Sequence, residues 1–101
     1  MIKRKAAHNI LARIPVIFFD EDNKTIAYSP ALDLSTYGDT EDQARKRFAE
    51  AVSIFIDEIV KMGTLDDILT ECGWRKTSLN TWSPPVFRSC TEELVKIPEG
   101  V

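Results

Sequence analysis

The chain has 101 residues, of which 44% are hydrophobic and 29% charged, and its formal net charge is −3. This length predicts a single domain that buries a core without disulfides or metal, and the ordinary composition excludes a disordered chain. The mild acidity disfavours a dedicated nucleic-acid binder, because such proteins carry a basic face.

The residues most often used in catalysis are sparse. Cys72 and Cys90 form no metal-ligating spacing. A Ser or Cys nucleophile would need a base, and the single histidine, His8, lies in the N-terminal segment, where a polar surface residue is expected. We therefore expect no cofactor, no metal and no enzymatic activity. No apolar run reaches the length of a membrane span, and the basic N-terminus lacks a signal-peptide pattern, so a cytoplasmic protein is expected.

Three strands are predicted first. Asn9–Asp20 alternates between an apolar face, which includes Ile14, Val16 and Phe18, and a mixed face, while Pro15 places this strand at an edge or a bulge. Residues 20–24 form a turn, and Thr25–Ser29 completes a hairpin that Pro30 ends. Ala31–Tyr37 is predicted as the third strand, with Asp33 on its mixed face and Gly38 at its end.

A long amphipathic helix follows. Thr40 and Gln43 match a capping box, and Gly63 occupies the place of a helix-terminating glycine. Apolar residues recur between them at three- and four-residue spacing and predict a stripe that packs on the sheet: Ala44, Phe48, Ala51, Val52, Phe55, Ile59 and Met62.

A shorter helix begins after Thr64 and ends at Gly73, and Trp74–Leu79 is predicted as a fourth strand, with Trp74 in the core. Pro84 and Pro85 interrupt the segment that follows, and 86–90 and 94–97 are extended stretches. The expected fold class is α+β: an antiparallel three-strand meander plus a fourth strand, packed against one long helix with a short second helix.

Several local patterns occur in a characteristic order. The second predicted strand reads Ile26-Ala27-Tyr28-Ser29-Pro30, and Leu32 follows closely. The long helix opens with Glu41-Asp42-Gln43-Ala44, directly after Gly38-Asp39-Thr40. The short helix contains Leu65 and is followed by Gly73-Trp74. Over residues 10–76 this order resembles the HicB-like antitoxin family, whose core is a partial ribonuclease-H-like fold. Many members carry a Pro-Gly pair between the second and third strands, where this chain has Ala31-Leu32-Asp33-Leu34.

The resemblance implies a single HicB-like domain over residues 1–101, with its core at 9–76 and an extended tail at 77–101. It also implies an antitoxin of a type II toxin–antitoxin pair, which neutralises a small basic, mRNA-cleaving (HicA-like) toxin by direct binding and forms a homo-oligomer, most simply a dimer. The C-terminal DNA-binding module of many members has no counterpart in the tail, so direct DNA binding is not expected. The alternative is an orphan HicB-like dimeric regulatory or structural protein with no toxin partner.

The tail supplies the candidate partner-binding residues Trp82, Val86, Phe87 and Arg88. Aromatic side chains beside an arginine are typical of interface anchors, although the sequence favours a place in the core for Trp82 and Phe87. A ribonuclease-H-like fold also raises a metal-dependent nuclease as a third hypothesis, which would need three or four converging carboxylates. Its candidates are Asp20, Glu21, Asp22, Asp33, Asp39 and Asp42.

Overall fold

The computed structural model describes residues 11–78 and 81–100. Within them the chain is an α+β protein with an antiparallel three-strand sheet of order β1-β2-β3, two helices and a separate two-strand sheet. The fold class predicted from sequence is confirmed at this level. The elements are β1 (Ile17–Glu21), β2 (Lys24–Ser29), β3 (Leu34–Gly38), α1 (Glu41–Lys61), α2 (Leu65–Glu71), β4 (Arg75–Ser78) and β5 (Thr81–Ser83).

A two-residue turn joins β1 to β2. Asp22 and Asn23 both adopt positive φ, 51° and 63°, and Glu21 pairs with Lys24 on either side of them. A two-residue hairpin turn of type I′ needs positive φ at both positions, and Asp and Asn tolerate it better than most residues. The polar run therefore fixes the hairpin register locally, as the sequence predicts.

The first strand is shorter than predicted. It begins at Ile17 rather than Asn9, and residues 9 and 10 of the predicted strand lie outside the described residues. Pro15 cannot donate to a sheet, and β2 ends at Ser29, so no backbone remains for the preceding residues to pair with. Ile14 and Val16 nevertheless pack against the core as the alternation predicts, and β1 is an edge strand.

The third strand also begins later than predicted, at Leu34 instead of Ala31. The Ser29 hydroxyl accepts a hydrogen bond from the Ala31 N–H at 3.2 Å, and this contact turns the chain before it can pair. Asp33 has a φ of 53°, in the left-handed region, and it precedes β3. The prediction that it lies on a face of the third strand is therefore wrong. Ala31 and Leu32 are buried inside this turn, where they contribute to the core.

Helix α1 begins and ends as predicted. The Thr40 hydroxyl accepts from the Gln43 N–H at 3.1 Å, and the Gln43 side chain accepts from the Asp39 N–H at 2.6 Å. At the other end Gly63 has a φ of 73°, which only glycine adopts without strain. Met62 is an exception to the predicted stripe, because it is 66% exposed. Met62 lies after the last helical residue, Lys61, as the C-cap of the helix.

The core consists of two clusters. Ala27, Ala44 and Phe48 form one between the sheet and the first half of α1. The other gathers Ala31, Leu32, Leu69 and Trp74 around the turn and α2, and the indole N–H of Trp74 donates to the Ala31 carbonyl at 2.7 Å. The two clusters share three half-buried neighbours, namely Ile14, Leu34 and Val52.

The fourth predicted strand exists as β4, but it pairs with β5 and not with the meander. A hairpin between neighbouring segments closes a much shorter loop than pairing with a distant sheet edge would, so the local partner is favoured. From Pro84 to Gly100 the chain contains no helix, strand, turn or bend. The stretches 86–90 and 94–97, which are predicted as extended, therefore lie in neither a helix nor a strand.

Candidate protein-interaction surface

The candidate tail residues do not form one site. Trp82 is half-buried against the second core cluster, and the Lys76 ammonium lies 5.6 Å from its ring centroid. Val86 and Phe87 are 84% and 47% exposed, and Arg88 is exposed as well. Of the two interpretations left open by the sequence, Trp82 belongs with the core, while Phe87 remains available to a partner.

Two prolines determine how the tail leaves the domain. Pro84 and Pro85 are half-buried, and a Cβ placed on Gly73 would lie 3.5 Å from Pro85, so the proline ring packs directly over this glycine. Proline fixes φ and stiffens the chain on either side of it. The base of the tail is therefore held against the domain, and the residues beyond it point away.

The rest of the tail carries further apolar side chains. Every residue from Val86 to Gly100 is exposed. Leu94, Val95 and Ile97 are 101%, 68% and 78% exposed, although their side chains are among those most often buried in proteins. The sequence indicated this stretch only as extended, and the cluster of Leu94, Val95 and Ile97 after two prolines is the signal that could have identified it as an exposed apolar segment.

A second apolar surface lies on the side of the sheet that faces away from α1. The strand register aligns Phe19, Ile26 and Tyr37 in one row across the three strands and Ile17 with Tyr28 in the next. We call these five residues the outer sheet face. Ile17, Phe19 and Tyr37 are 49%, 44% and 56% exposed, so the described residues leave this face largely uncovered.

Polar contacts fix the margins of the outer sheet face. The Tyr28 hydroxyl donates to Asp33 at 3.1 Å, and this hydrogen bond raises the pKa of Tyr28. The Lys24 ammonium donates to Asp39 at 2.6 Å, and this hydrogen bond lowers the pKa of the Asp39 carboxyl. These pairs hold charge and hydroxyl groups at the rim and leave the centre apolar, an arrangement typical of protein interfaces.

A shallow, open depression of about 250 Å³ marks one end of this face, between the β1–β2 turn and β3. Its lining mixes apolar and charged side chains: Glu21, Asp22, Lys24, Ile26 and Tyr37. It is smaller than the pockets that usually enclose a small ligand, so it suits a protruding side chain better than a substrate.

The carboxylates of the nuclease hypothesis make separate contacts. Asp33 accepts from Tyr28, Asp39 pairs with Lys24, and Asp20 accepts from the Thr25 hydroxyl at 3.4 Å. Among residues 11–78 and 81–100, no three His, Cys, Asp or Glu side chains are grouped so as to hold a metal ion. His8 lies outside the described residues.

The cysteines differ in their surroundings. Cys72 is half-buried at the end of α2, and burial raises the pKa of its thiol, which makes it a weak nucleophile at neutral pH. Cys90 is exposed in the tail.

In the described part of the chain, no helix is both long and apolar enough to cross a membrane. No protein-family model matches this chain, and the comparisons with curated proteins and with solved structures found no match either.

Proposed function

We propose that this protein is the antitoxin of a type II toxin–antitoxin pair in the cytoplasm, and that it neutralises a small basic, mRNA-cleaving toxin by binding to it. The observation behind the proposal is the ordered set of local patterns over residues 10–76 that resembles the HicB-like family. The protein acts as a non-catalytic binding module in this proposal, and its net charge of −3 suits a basic partner.

The places of these patterns in the fold support the proposal. Gly38 lies where strand β3 meets α1, and a Cβ added there would come within 2.6 Å of the Ala44 backbone nitrogen. Asp33, in the stretch where many family members carry Pro-Gly, adopts a left-handed conformation that favours glycine. Trp74, after Gly73, is hydrogen-bonded into the core. Gly38 and Trp74 therefore each have a structural reason to occupy their positions in a protein with this arrangement.

The exposed tail side chains are the proposed contact with the toxin. Phe87 presents a half-exposed ring, and Val86 and Arg88 flank it in the same extended segment. An aromatic ring next to an arginine combines a large apolar contact with a charge that can pair across an interface. Trp82 stabilises the hairpin from which this segment leaves.

The test is co-expression with the small basic protein encoded by an adjacent reading frame. The toxin candidate alone should stop growth, and co-expression should restore growth and give a complex that survives purification. Phe87→Asp should weaken the rescue, whereas Ser89→Asp, which adds the same charge at a polar tail position, should not. A toxin candidate that arrests growth equally with and without this protein would overturn the proposal.

The alternative is an orphan HicB-like protein, a dimer with a regulatory or structural role and no toxin. The uncovered outer sheet face and the exposed tail favour it, because both suit self-association. A gene without a basic neighbour, and a pull-down that returns only this chain, would support the alternative over the antitoxin.

A further inference from the structure

Strand β1 forms the open edge of the three-strand sheet. The strand order is β1-β2-β3, so among the described residues β1 has a neighbouring strand on one side only. Glu21 pairs with Lys24 beside the two-residue turn, and alternate residues of an antiparallel pair turn their backbone N–H and C=O groups to opposite sides. Glu21 and Phe19 therefore bond to β2. The backbone groups of Phe18 and Asp20 point away from the sheet.

A side chain blocks the opposite edge of the sheet. The Arg47 guanidinium donates to the Tyr37 carbonyl of β3 at 3.0 Å, and it also lies 5.8 Å from the centroid of the Tyr37 ring. Proteins commonly protect unpaired strand edges, because such edges pair readily with other chains. In residues 11–78 and 81–100, no side chain makes an equivalent hydrogen bond to the backbone of Phe18 or Asp20. The β1 edge therefore remains open to an additional strand in the part of the chain that the structure describes.

On the outer sheet face, the β1 edge is apolar. Ile17 and Phe19 are 49% and 44% exposed at this edge, and an added strand would contact both side chains. At the end of β1, Glu21 and Asp22 are exposed and form no ion pair within the described residues. The nearby Lys24 is held in an ion pair of 2.6 Å. The outer side of the edge therefore offers an apolar surface that ends in carboxylates.

The other side of the β1 edge, which faces α1, is acidic. Asp20 is exposed there and forms no ion pair among the residues that the structure describes. The Arg45 guanidinium lies 4.9 Å from the centroid of the Phe18 ring. Its charge is already matched, because it pairs with Glu41 at 3.0 Å and with Asp42 at 3.6 Å. With three carboxylates against one guanidinium, this side of the edge is negatively charged.

We propose that the β1 edge binds an extended segment of another protein in which apolar and basic residues alternate. The segment pairs with the backbone of Phe18 and Asp20 and adds a fourth strand to the sheet. Its apolar side chains lie on Ile17 and Phe19, while its basic side chains meet the carboxylates on the other side, because successive side chains of a strand point to opposite faces. A second β1 strand is a poor occupant, since it would bring its own carboxylates against these. The contact is separate from the tail contact proposed above and does not depend on a toxin.

The experiment titrates the full-length protein into a fluorescently labelled synthetic peptide and measures the anisotropy of the label. The peptide has about seven residues, in which valine and arginine alternate, and both of its ends are capped. It should bind, and its dissociation constant should rise with salt concentration because the contact is partly ionic. A peptide of the same composition with its valines and arginines in two blocks should bind at least about tenfold more weakly, since it cannot separate apolar from basic side chains onto two sides. An alternating valine–glutamate peptide should not bind.

Two variants of Asp20 separate backbone pairing from charge attraction. Asp20→Pro removes both the outward N–H and the carboxylate and should weaken binding of the alternating peptide at least about 20-fold. Asp20→Asn removes the charge alone and should weaken binding by about threefold. Ser35→Pro is the matched control, at an exposed position of β3 two residues before Tyr37 on the blocked edge, and should leave the affinity unchanged. Circular dichroism checks that each variant is folded.

Hydrogen exchange in the unmodified protein gives a readout that needs no variant. The bound peptide should slow exchange of the Phe18 and Asp20 amide hydrogens at least about tenfold. It should have a much smaller effect on Phe19 and Glu21, whose amides already bond to β2. Four results would each overturn the proposal: no binding of the alternating peptide, equal binding of the block or glutamate peptide, unchanged exchange at Phe18 and Asp20, or equal weakening by Asp20→Pro and Ser35→Pro. No toxin is used, so a negative result leaves the antitoxin function standing.

Discussion

Replacing Trp74 by phenylalanine tests the contact that joins the second core cluster to the turn before β3. The indole N–H donates to the Ala31 carbonyl at 2.7 Å in a fully buried setting, with Ala31 0% and Trp74 9% exposed. Phenylalanine keeps an aromatic ring in the core but has no donor. The substitution thus removes a buried hydrogen bond with little change in hydrophobic character.

The expected loss of stability has two parts. A buried carbonyl left without its donor costs about 1–3 kcal/mol, and the space left by the smaller ring adds about 1 kcal/mol. Trp74→Phe should therefore lower the free energy of unfolding by about 2–4 kcal/mol. A domain of this size has only about 5–10 kcal/mol in total, so the loss is a large share of its stability.

The assay is urea unfolding followed by circular dichroism at one fixed protein concentration, because dimerisation would make the midpoint depend on concentration. With an m-value of about 1.5 kcal/mol/M, a loss of 3 kcal/mol moves the midpoint down by about 2 M. Trp82→Phe is the control: its half-buried ring should tolerate the change at about 1 kcal/mol or less. Equal losses in the two variants would refute the role assigned to the Trp74 hydrogen bond.

Three further outcomes are expected. Thr40→Ala removes the acceptor for the Gln43 N–H and should lower the free energy of unfolding by about 1 kcal/mol in urea. Lys46→Ala, on the exposed side of α1, is the control and should lower it by less than about 0.5 kcal/mol. Equal losses in the two variants would contradict the role of Thr40 as the helix cap. Gly38→Ala places a Cβ 2.6 Å from the Ala44 nitrogen and should cost about 1–3 kcal/mol in the same assay, and an unchanged midpoint would contradict this contact. Lys24 holds the pKa of Asp39 below 3.8, so this pair stabilises the fold above that pH and its contribution is lost as the pH falls through the folded-state pKa. In Lys24→Met, NMR titration should find the Asp39 pKa closer to 3.8, and no upward shift would disprove the pairing.

Local sequence signals determined most of the elements. The Thr40–Gln43 cap, the Asp22-Asn23 turn and the glycines after both helices act within a few residues, so their geometry follows from residue type. The strand starts were less predictable. Alternation continues through Asn9–Val16 and Ala31–Asp33, but a strand also needs a partner, and β2 provides one only from Lys24 to Ser29.

The candidate surface was only partly predictable for the same reason. The exposure of Val86 and Phe87 could be predicted, because two prolines precede them. The partial burial of Trp82 could not, because it depends on how the β4–β5 hairpin packs against Trp74 and the rest of the second core cluster. Alternation correctly predicted that Val16 and Phe18 lie on the side of β1 that α1 covers. It assigned Ile17 and Phe19 to a mixed face, and it did not indicate that Ile26 and Tyr37 would extend that face into an apolar surface across three strands.

The three residues common to both core clusters have a consequence for how the protein unfolds. Ile14, Leu34 and Val52 come from the segment before β1, from β3 and from α1, and each touches both clusters. Unfolding around either cluster exposes part of the other cluster, so we expect neither cluster to unfold in a separate transition. The domain should therefore lose its sheet and its second helix in one cooperative step, with a calorimetric enthalpy equal to the van't Hoff value.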